Sequence, residues 1–285
     1  MAIGLIVLAL VVVFAARWLR TLAPVQEFLV QFPGEYPLPE GAPVGLPAWL
    51  GWQHFFNVFL LVLVVRTGWQ IRQQKRPPAL WTSRRNRRRR MSLTVWFHLV
   101  LDGLWIANGI IYVVLLFATG QWMRIVPTSW EVFPNAVSAG IQYASLDWPT
   151  GNGWVNYNAL QLISYFVTIF IAAPLALVTG IRMAPGFAAR FRSIDRVFPV
   201  SVARNIHFPV MIYFVGFVIV HVTLVLATGA QRNLNHMYAG RDDDSWLGFV
   251  FFGASLVVMA VAWMLAKPAA LADVAEKTGT VRRLG

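Results

Sequence analysis

The sequence contains no cysteine and few charged residues. None of its 285 residues is a cysteine, which excludes disulfides, thiolate metal sites, iron–sulfur clusters and covalently attached c-type haem. Only 13% of the residues are charged, whereas 58% are hydrophobic; soluble domains have roughly 25% charged and 45–50% apolar residues. The composition therefore excludes a soluble globular enzyme and a disordered chain, and it indicates a protein that spans a membrane.

Six apolar segments approach or exceed the roughly 20 residues that a membrane span requires. They comprise residues 2–19, 46–68, 92–120, 157–181, 205–229 and 246–266. The predicted fold class is therefore all-α, an integral membrane bundle of six transmembrane helices. Four segments end in a Thr-Gly pair, and we expect these pairs to terminate helices because glycine suits the left-handed cap conformation. The pairs are Thr67-Gly68, Thr119-Gly120, Thr179-Gly180 and Thr228-Gly229.

The distribution of basic residues predicts the orientation of these segments. Residues 71–90 carry nine basic residues and no acid, and the loop after the fourth span and the C-terminal tail are also basic. Cytoplasmic loops collect Lys and Arg, so we predict a multi-pass protein of the inner (cytoplasmic) membrane with both termini in the cytoplasm. The net charge of +12 is thereby explained without nucleic acid, and the polybasic loop also suits anionic lipid headgroups.

The first apolar segment is the short one, and Arg17 and Arg20 fall on its predicted outer side. A signal peptide starts with basic residues, and the start MAIGLIVLAL has none. We therefore expect this segment to be retained as a span. The orientation of the other five segments does not depend on it.

Four of the five histidines lie inside spans and match in depth. His207 and His221 share one helix, where a spacing of 14 residues places them some 40° apart in rotation and about 21 Å apart along the axis. His54 lies about two turns from the outer end of its span, and His98 lies about two turns from the inner end of its own. The depths predict an outer pair, His54 with His221. They also predict an inner pair, His98 with His207.

Each predicted pair has the chemistry to hold a haem. Two imidazoles make a six-coordinate iron with no open position, which suits electron transfer and not oxygen binding. A single histidine in a span is often a polar residue that is hydrogen-bonded to a neighbouring helix, so the prediction rests on the four residues as a set. His236, in the last outer loop, is interpreted as a surface residue.

Three further residues are candidates for the site, and no catalytic residue is predicted. Asp102 lies one turn from His98, and an ionisable group at that depth is a candidate for proton exchange with quinone. Its alternative role is a carboxyl that supports a haem ligand. Arg204 near the inner pair and Arg124 near the outer pair are candidate donors to haem propionates, or ordinary interfacial arginines.

The fifth span and the order of the histidines resemble a known family. The segment ARNIHFPVMIYFVGFVIVHVTLVLATG is similar to the two-histidine helix of the dihaem cytochrome b subunits of nickel–iron hydrogenases and respiratory formate dehydrogenases. That family has a four-helix core with one histidine on the first helix, one on the second, none on the third and two on the fourth. Spans two to five have the same order here, and the resemblance covers about residues 46–229.

The resemblance implies a membrane-anchoring dihaem cytochrome b subunit that holds two haem b groups. The implied iron ligands are His54 and His221 for the outer haem, and His98 and His207 for the inner haem. The subunit would pass electrons between membrane quinone and an extracytoplasmic or membrane-associated redox partner of the hydrogenase, formate dehydrogenase or molybdenum oxidoreductase type. Because it would be an electron-transfer subunit of an oxidoreductase complex, its status as an enzyme stays open.

The resemblance also divides the chain. The expected parts are an N-terminal transmembrane helix (1–20), an outer loop (21–45), the four-helix dihaem core (46–229), an outer loop with the last transmembrane helix (230–266) and a cytoplasmic tail (267–285). The alternatives are a membrane transporter and a cofactor-free structural anchor of a membrane complex. A transporter needs a polar path across the membrane, and Asp102 is the only acid within any predicted span.

Overall fold

The computed structural model describes residues 2–149, 151–191 and 193–284. The chain is mostly helical, with one small antiparallel sheet. Five helices are long and apolar enough to cross a membrane, and a bent helix pair at the N-terminus raises the number to as many as six. The prediction of a helical, multi-pass membrane protein is confirmed at this level.

Four of the five long helices are uninterrupted: α3 (Ala48–Gln73), α4 (Leu93–Ala118), α10 (Val200–Ala227) and α12 (Leu247–Leu265). The remaining one consists of α6 (Ala159–Val167), a π-helical turn (Thr168–Ala172) and α7 (Ala173–Met183). The π turn lies just before Pro174, the second residue of α7. In a regular α-helix the ring of this proline would crowd the carbonyl four residues back, and the wider π turn relieves that contact. Helix α3 packs against α4, and α10 packs against α7.

The N-terminal pair consists of α1 (Ala2–Leu19) and α2 (Ala23–Gln31), which meet at 85°. The end of α1 contacts the loop that follows α5 (Val132–Ala144). Arg17 donates to the carbonyl of Ser145 at 3.0 Å, and Arg20 forms an ion pair with Asp147 at 2.5 Å. These contacts account for two arginines at an end of the bundle that is otherwise poor in basic residues.

A three-stranded sheet joins two segments that the sequence analysis left without regular structure. Strand β1 (Ala79–Ser83) pairs antiparallel with β2 (Arg90–Ser92) on one side and with β3 (Gly279–Arg283) on the other. Helix α13 (Pro268–Glu276) packs with the sheet on the first turn of α4. The strands have only three to five residues, and β2 and β3 contain arginine, so no alternating apolar pattern marks them in the sequence.

The loops form two groups at opposite ends of the bundle. The loop before α3 bonds to the loop before α6 through the N–H of Gly45 and the carbonyl of Trp154, at 2.9 Å. Asn152 extends this group to the loop before α12 through Asp242, at 3.1 Å. We call this the outer end, and the end that carries the sheet is the inner end. Short helices complete the connections: a 3-10 turn (Gln121–Arg124), α8 (Phe187–Arg190), α9 (Ile194–Val197), α11 (Ala230–Leu234) and a π turn (Asn235–Ala239).

Candidate functional site

His54 on α3 and His221 on α10 face each other towards the outer end. Their ring centres lie 6.3 Å apart, and the ring planes are tilted by 55°. Two metal–nitrogen bonds of about 2 Å, each extended by about 1.1 Å from nitrogen to ring centre, add up to roughly 6 Å. The separation therefore suits one metal ion held between the two imidazoles.

Aromatic rings enclose the outer pair. Phe217 stacks on His221 with ring centres 5.6 Å apart and planes only 5° apart, and Tyr165 meets His221 edge-on at 5.9 Å. Tyr238 meets His54 edge-on at 5.8 Å. Within the described residues, Nδ1 of His54 is buried without a hydrogen-bond partner. A buried polar atom without a hydrogen bond costs free energy. Nδ1 of His54 can therefore form a hydrogen bond that no described side chain supplies.

His98 on α4 and His207 on α10 belong to the inner half of the bundle, and a threonine orients each ring. Nδ1 of His98 lies 2.7 Å from Oγ1 of Thr67, and Nδ1 of His207 lies 2.9 Å from Oγ1 of Thr179. Both threonine hydroxyls donate their one proton to carbonyls of their own helices. A threonine hydroxyl that donates to its own helix can only accept from the ring, and in the tautomer with the proton on Nδ1 the Nε2 lone pair of each histidine is free to bind a ligand.

These two threonines belong to Thr-Gly pairs that lie inside helices, so the prediction that the pairs at 67–68 and 179–180 end helices is wrong. A Cβ added to Gly68 would lie 3.5 Å from Cε1 of His98, and one added to Gly180 would lie 3.5 Å from Cε1 of His207. Each pair thus supplies a hydroxyl to a histidine and a small residue beside the same ring. Glycine occurs both at helix ends and inside helices where a neighbouring side chain comes close to the backbone. Which of the two applies depends on the position of the neighbouring helix.

The other two Thr-Gly pairs end helices as predicted. Gly120 follows α4 with φ of 74°, and Gly229 follows α10 with φ of 126°. Both values lie in the region that favours glycine. The threonine before each glycine donates its hydroxyl to a carbonyl of the last helical turn.

Asp102 lies beside the inner histidines. Its Oδ2 is 3.7 Å from Nε2 of His98, one helical turn earlier on α4. This is the nitrogen that the bond to Thr67 leaves free, so the carboxyl lies close to the position of any ligand bound by His98. The side chain is partly exposed, with 27% of its surface accessible, and it therefore has access to the surroundings of the bundle.

Arg124 is buried among the outer loops. Its Nη1 and Nη2 donate to the carbonyls of Gly45 and Gly153, each at 2.7 Å, and its guanidinium lies 4.8 Å from the ring centre of Tyr157. Nε is buried and has no partner within the described residues. Arg124 therefore connects two loops, and its Nε–H is available to another group. Arg204 lies exposed in the first turns of α10.

His236 is buried, so its interpretation as a surface residue is wrong. Only 4% of it is exposed, its Nε2 lies 2.7 Å from Oδ1 of Asp242, and its ring packs against Trp154. Burial lowers the pKa of His236, and the hydrogen bond and charge of Asp242 act in the opposite direction. The hydrogen bonds from His236 and Asn152 lower the pKa of Asp242. The acidic residues that follow His236 are typical of a solvated loop, which is why the sequence predicted an exposed histidine. The histidine is buried because the outer loops pack against one another.

Among residues 2–149, 151–191 and 193–284, no group of three or more His, Cys, Asp or Glu side chains could hold a metal ion. A metal site built from protein ligands alone typically needs at least three. A haem iron takes four nitrogens from its porphyrin and needs only two axial ligands.

Comparisons of the chain with protein-family models, with curated proteins and with solved structures gave no match.

Proposed function

We propose that this protein is a membrane-anchoring dihaem cytochrome b subunit. It transfers electrons between membrane quinone and an extracytoplasmic or membrane-associated oxidoreductase. The observation that carries the proposal is the 6.3 Å separation of the His54 and His221 rings, which come from separate helices. The Nε2 positions of the inner histidines, which point away from the threonines bonded at Nδ1, add to it.

The proposed ligands are His54 with His221 for one haem b, and His98 with His207 for the other. When bound between two imidazoles, haem supplies reversible one-electron chemistry with no open coordination position. Thr67 and Thr179 hold the protons on Nδ1 of the inner rings, which fixes their tautomer and makes Nε2 more basic. Both effects favour binding of the ferric iron.

Asp102 and the two arginines have proposed roles beside the haems. Asp102 lies next to His98 of the inner pair. In this proposal its carboxyl exchanges protons with quinone near that pair. Nε of Arg124, which has no partner among the described residues, donates to a haem propionate at the outer end. Arg204 offers its guanidinium to a propionate at the inner end.

The proposed topology has six spans, with both termini in the cytoplasm and the outer end facing away from it. Arg17 and Arg20 at the end of α1 contact Ser145 and Asp147 of the outer loops. This places the C-terminal end of α1 at the outer end and supports α1 as the sixth span. Strand β3 pairs with β1, so the C-terminal tail shares the inner end with the basic loop, as the positive-inside rule requires of a cytoplasmic tail.

A reduced-minus-oxidised visible spectrum, combined with haem extraction, tests the proposal on the full chain purified from haem-replete cells. We expect a b-type spectrum and two haems per chain. His221→Ala should remove one haem and leave the other. His236→Gln replaces a buried histidine outside both pairs and serves as the matched control, which should keep both haems.

A folded chain without a b-type spectrum would contradict the proposal and would favour a transporter or a cofactor-free anchor. Equal loss of haem in His221→Ala and His236→Gln would also count against the assigned pairs. Electron transfer to quinone is tested separately, by mixing the reduced protein with a water-soluble quinone and following reoxidation of the b-type signal.

A further inference from the structure

A basic hairpin at the inner end is fixed by the C-terminal segment. Strand β3 pairs with β1 along its whole length, from Ala79 opposite Arg283 to Ser83 opposite Gly279. The indole N–H of Trp81 donates to the carbonyl of Ala275 at 3.2 Å. These contacts hold the hairpin tip, residues 84–89, in a defined place on the bundle.

The hairpin and the tail strand carry arginines that lack acidic partners. These arginines are exposed and form no ion pair within the part of the chain that the structure describes. They are Arg84, Arg85, Arg87, Arg88, Arg89, Arg90, Arg282 and Arg283. The acids Asp273 and Glu276 on the neighbouring α13 are exposed as well. Such a density of like charge is self-repelling, so an anionic partner stabilises it.

A groove of about 390 Å³ lies where the hairpin meets β3. Its lining consists of Thr82, Ser83, Arg84, Arg87 and Thr280. Thr82 and Thr280 are opposite each other in the β1–β3 register. Side chains alternate between the two faces of a strand, so Thr82 and Thr280 share one face and Ser83 lies on the other. The hydroxyls of Thr82 and Thr280 and the two guanidinium groups, with no carboxylate among the lining residues, suit the oxygens of a phosphate group.

One of the two groove arginines is preorganised. Nη2 of Arg84 donates to the carbonyl of Glu276, the last residue of α13, at 2.5 Å. This bond uses one of the five donors of the guanidinium and leaves the others for a ligand. Because the side chain is already held, less conformational entropy is lost when an anion binds.

The groove lies next to the membrane end of two spans. Strand β2 ends at Ser92, whose side chain caps the first turn of α4. Residues 74–78 are the only link between α3 and β1. Leu93 and Trp96 of α4 pack under Trp81 of the sheet. These short connections keep the groove near the level of the lipid headgroups rather than far out in solution.

We propose that this groove binds the headgroup phosphate of an anionic phospholipid of the phosphatidylglycerol type. A zwitterionic lipid carries the same phosphate together with a cation, which the surrounding arginines repel. Free phosphate offers the same oxygens but lacks the acyl chains that keep a lipid at the membrane. The proposal does not depend on haem binding, because none of the groove residues touches a histidine of the pairs.

Native mass spectrometry of the full chain, released from detergent micelles with added lipid, tests the site. We expect the first dioleoylphosphatidylglycerol to bind about ten-fold more tightly than dioleoylphosphatidylcholine. Arg87→Gln should reduce that preference by about five-fold, since one arginine near an anionic headgroup contributes an effect of this size. Arg88→Gln removes the same charge from the same hairpin, outside the groove, and should change the preference by less than about two-fold.

Three results would overturn the proposal. Equal binding of the two lipids would show that the groove does not select anionic headgroups. Equal losses in Arg87→Gln and Arg88→Gln would show diffuse attraction by the whole hairpin instead of a site. Displacement of the bound phosphatidylglycerol by excess inorganic phosphate would identify a free-anion site. Circular dichroism of both variants verifies that each retains the helical fold.

Discussion

The inner histidines show how one hydroxyl group sets the chemistry of an imidazole. The hydroxyls of Thr67 and Thr179 donate to carbonyls of their own helices and lie 2.7 and 2.9 Å from Nδ1 of His98 and His207, an arrangement that holds the imidazole proton on Nδ1. The outer pair has no such arrangement at His54, whose Nδ1 is unpartnered among the described residues. If both pairs hold haem, the inner ligands are therefore the more electron-donating ones, and the two haems differ in potential.

Replacing Thr67 by Val removes the acceptor for Nδ1 of His98 while nearly preserving the side-chain shape. On the proposed function, the weaker ligand should raise the midpoint potential of the inner haem by roughly tens of millivolts. A redox titration of the b-type absorbance measures the shift. Thr223→Val, on an exposed threonine of α10 that bonds only to Ile219, is the control. An unchanged titration curve in Thr67→Val would show that the hydroxyl does not tune the ligand.

The buried His236–Asp242 contact predicts that the outer loops loosen in acid. Burial lowers the folded-state pKa of His236, and its hydrogen bond lowers that of Asp242. The unfolded state therefore binds protons first as the pH falls, so stability from His236 is present above its unfolded pKa of about 6.5 and is lost below it. The contribution of Asp242 is lost at lower pH, below about 4.

Thermal unfolding followed by tryptophan fluorescence at about pH 7 and about pH 5 tests this dependence. The melting temperature should fall more in the wild type than in His236→Gln, because glutamine can still bond to Asp242 but does not titrate. Parallel curves for the two proteins would mean that His236 does not link protonation to stability.

At the scale of the elements, the sheet depends on one glycine. A Cβ on Gly279 would lie 2.2 Å from Nε1 of Trp81 and 2.5 Å from the carbonyl oxygen of Thr82. Both atoms are fixed, since the indole N–H is bonded to Ala275 and Thr82 lies in the middle strand. Only a residue without a side chain fits against the indole at this point of β3.

Gly279→Ala should therefore detach β3 from β1, at a cost of about 1–3 kcal/mol of local packing free energy. The exposed arginines of the hairpin would then be cleaved by trypsin several-fold faster, because proteolysis requires local opening. Gly253→Ala on α12, where an added Cβ meets nothing within 4 Å, is the control. Equal cleavage rates in all three proteins would refute the assignment of Gly279 as the residue that fixes the strand.

At the scale of the whole molecule, the two groups of loops lie at opposite ends of the bundle, and the proposed topology puts these ends on opposite sides of a membrane. The outer loops contact one another through Gly45, Trp154, Asn152 and Asp242. The inner connection and the tail are joined by the sheet. Each long helix leads from one group to the other, as a helix that spans a membrane must.

The absence of cysteine makes this topology directly testable. Ser129→Cys, in an outer loop, should react with a membrane-impermeant maleimide in intact cells whose outer barrier has been permeabilised. Arg88→Cys, in the inner hairpin, should react only after the cytoplasmic membrane is opened. Labelling of Arg88→Cys in sealed cells would reverse the proposed orientation.

Much of the architecture could be predicted because local patterns in the sequence determine it. Hydropathy located the five long helices to within a few residues, since an apolar segment of that length satisfies its backbone hydrogen bonds in lipid only as a helix. Helical geometry also predicted that His54 and His221 share a level, and their ring centres lie 6.3 Å apart; the pairing of His98 with His207 stays a prediction. These inferences needed only the period of a helix and the direction of each span.

The tertiary structure decided the features that depend on residues far apart in the chain. Thr67 meets His98 from 31 residues away, Trp81 meets Ala275 from 194 residues away, and His236 is buried by a loop from another part of the chain. Whether a Thr-Gly pair ends a helix or supports a ring depends on how the neighbouring helix is rotated against it. Sequence patterns record the period and polarity of one element, whereas rotation and contact between elements are set by the packing of all of them together.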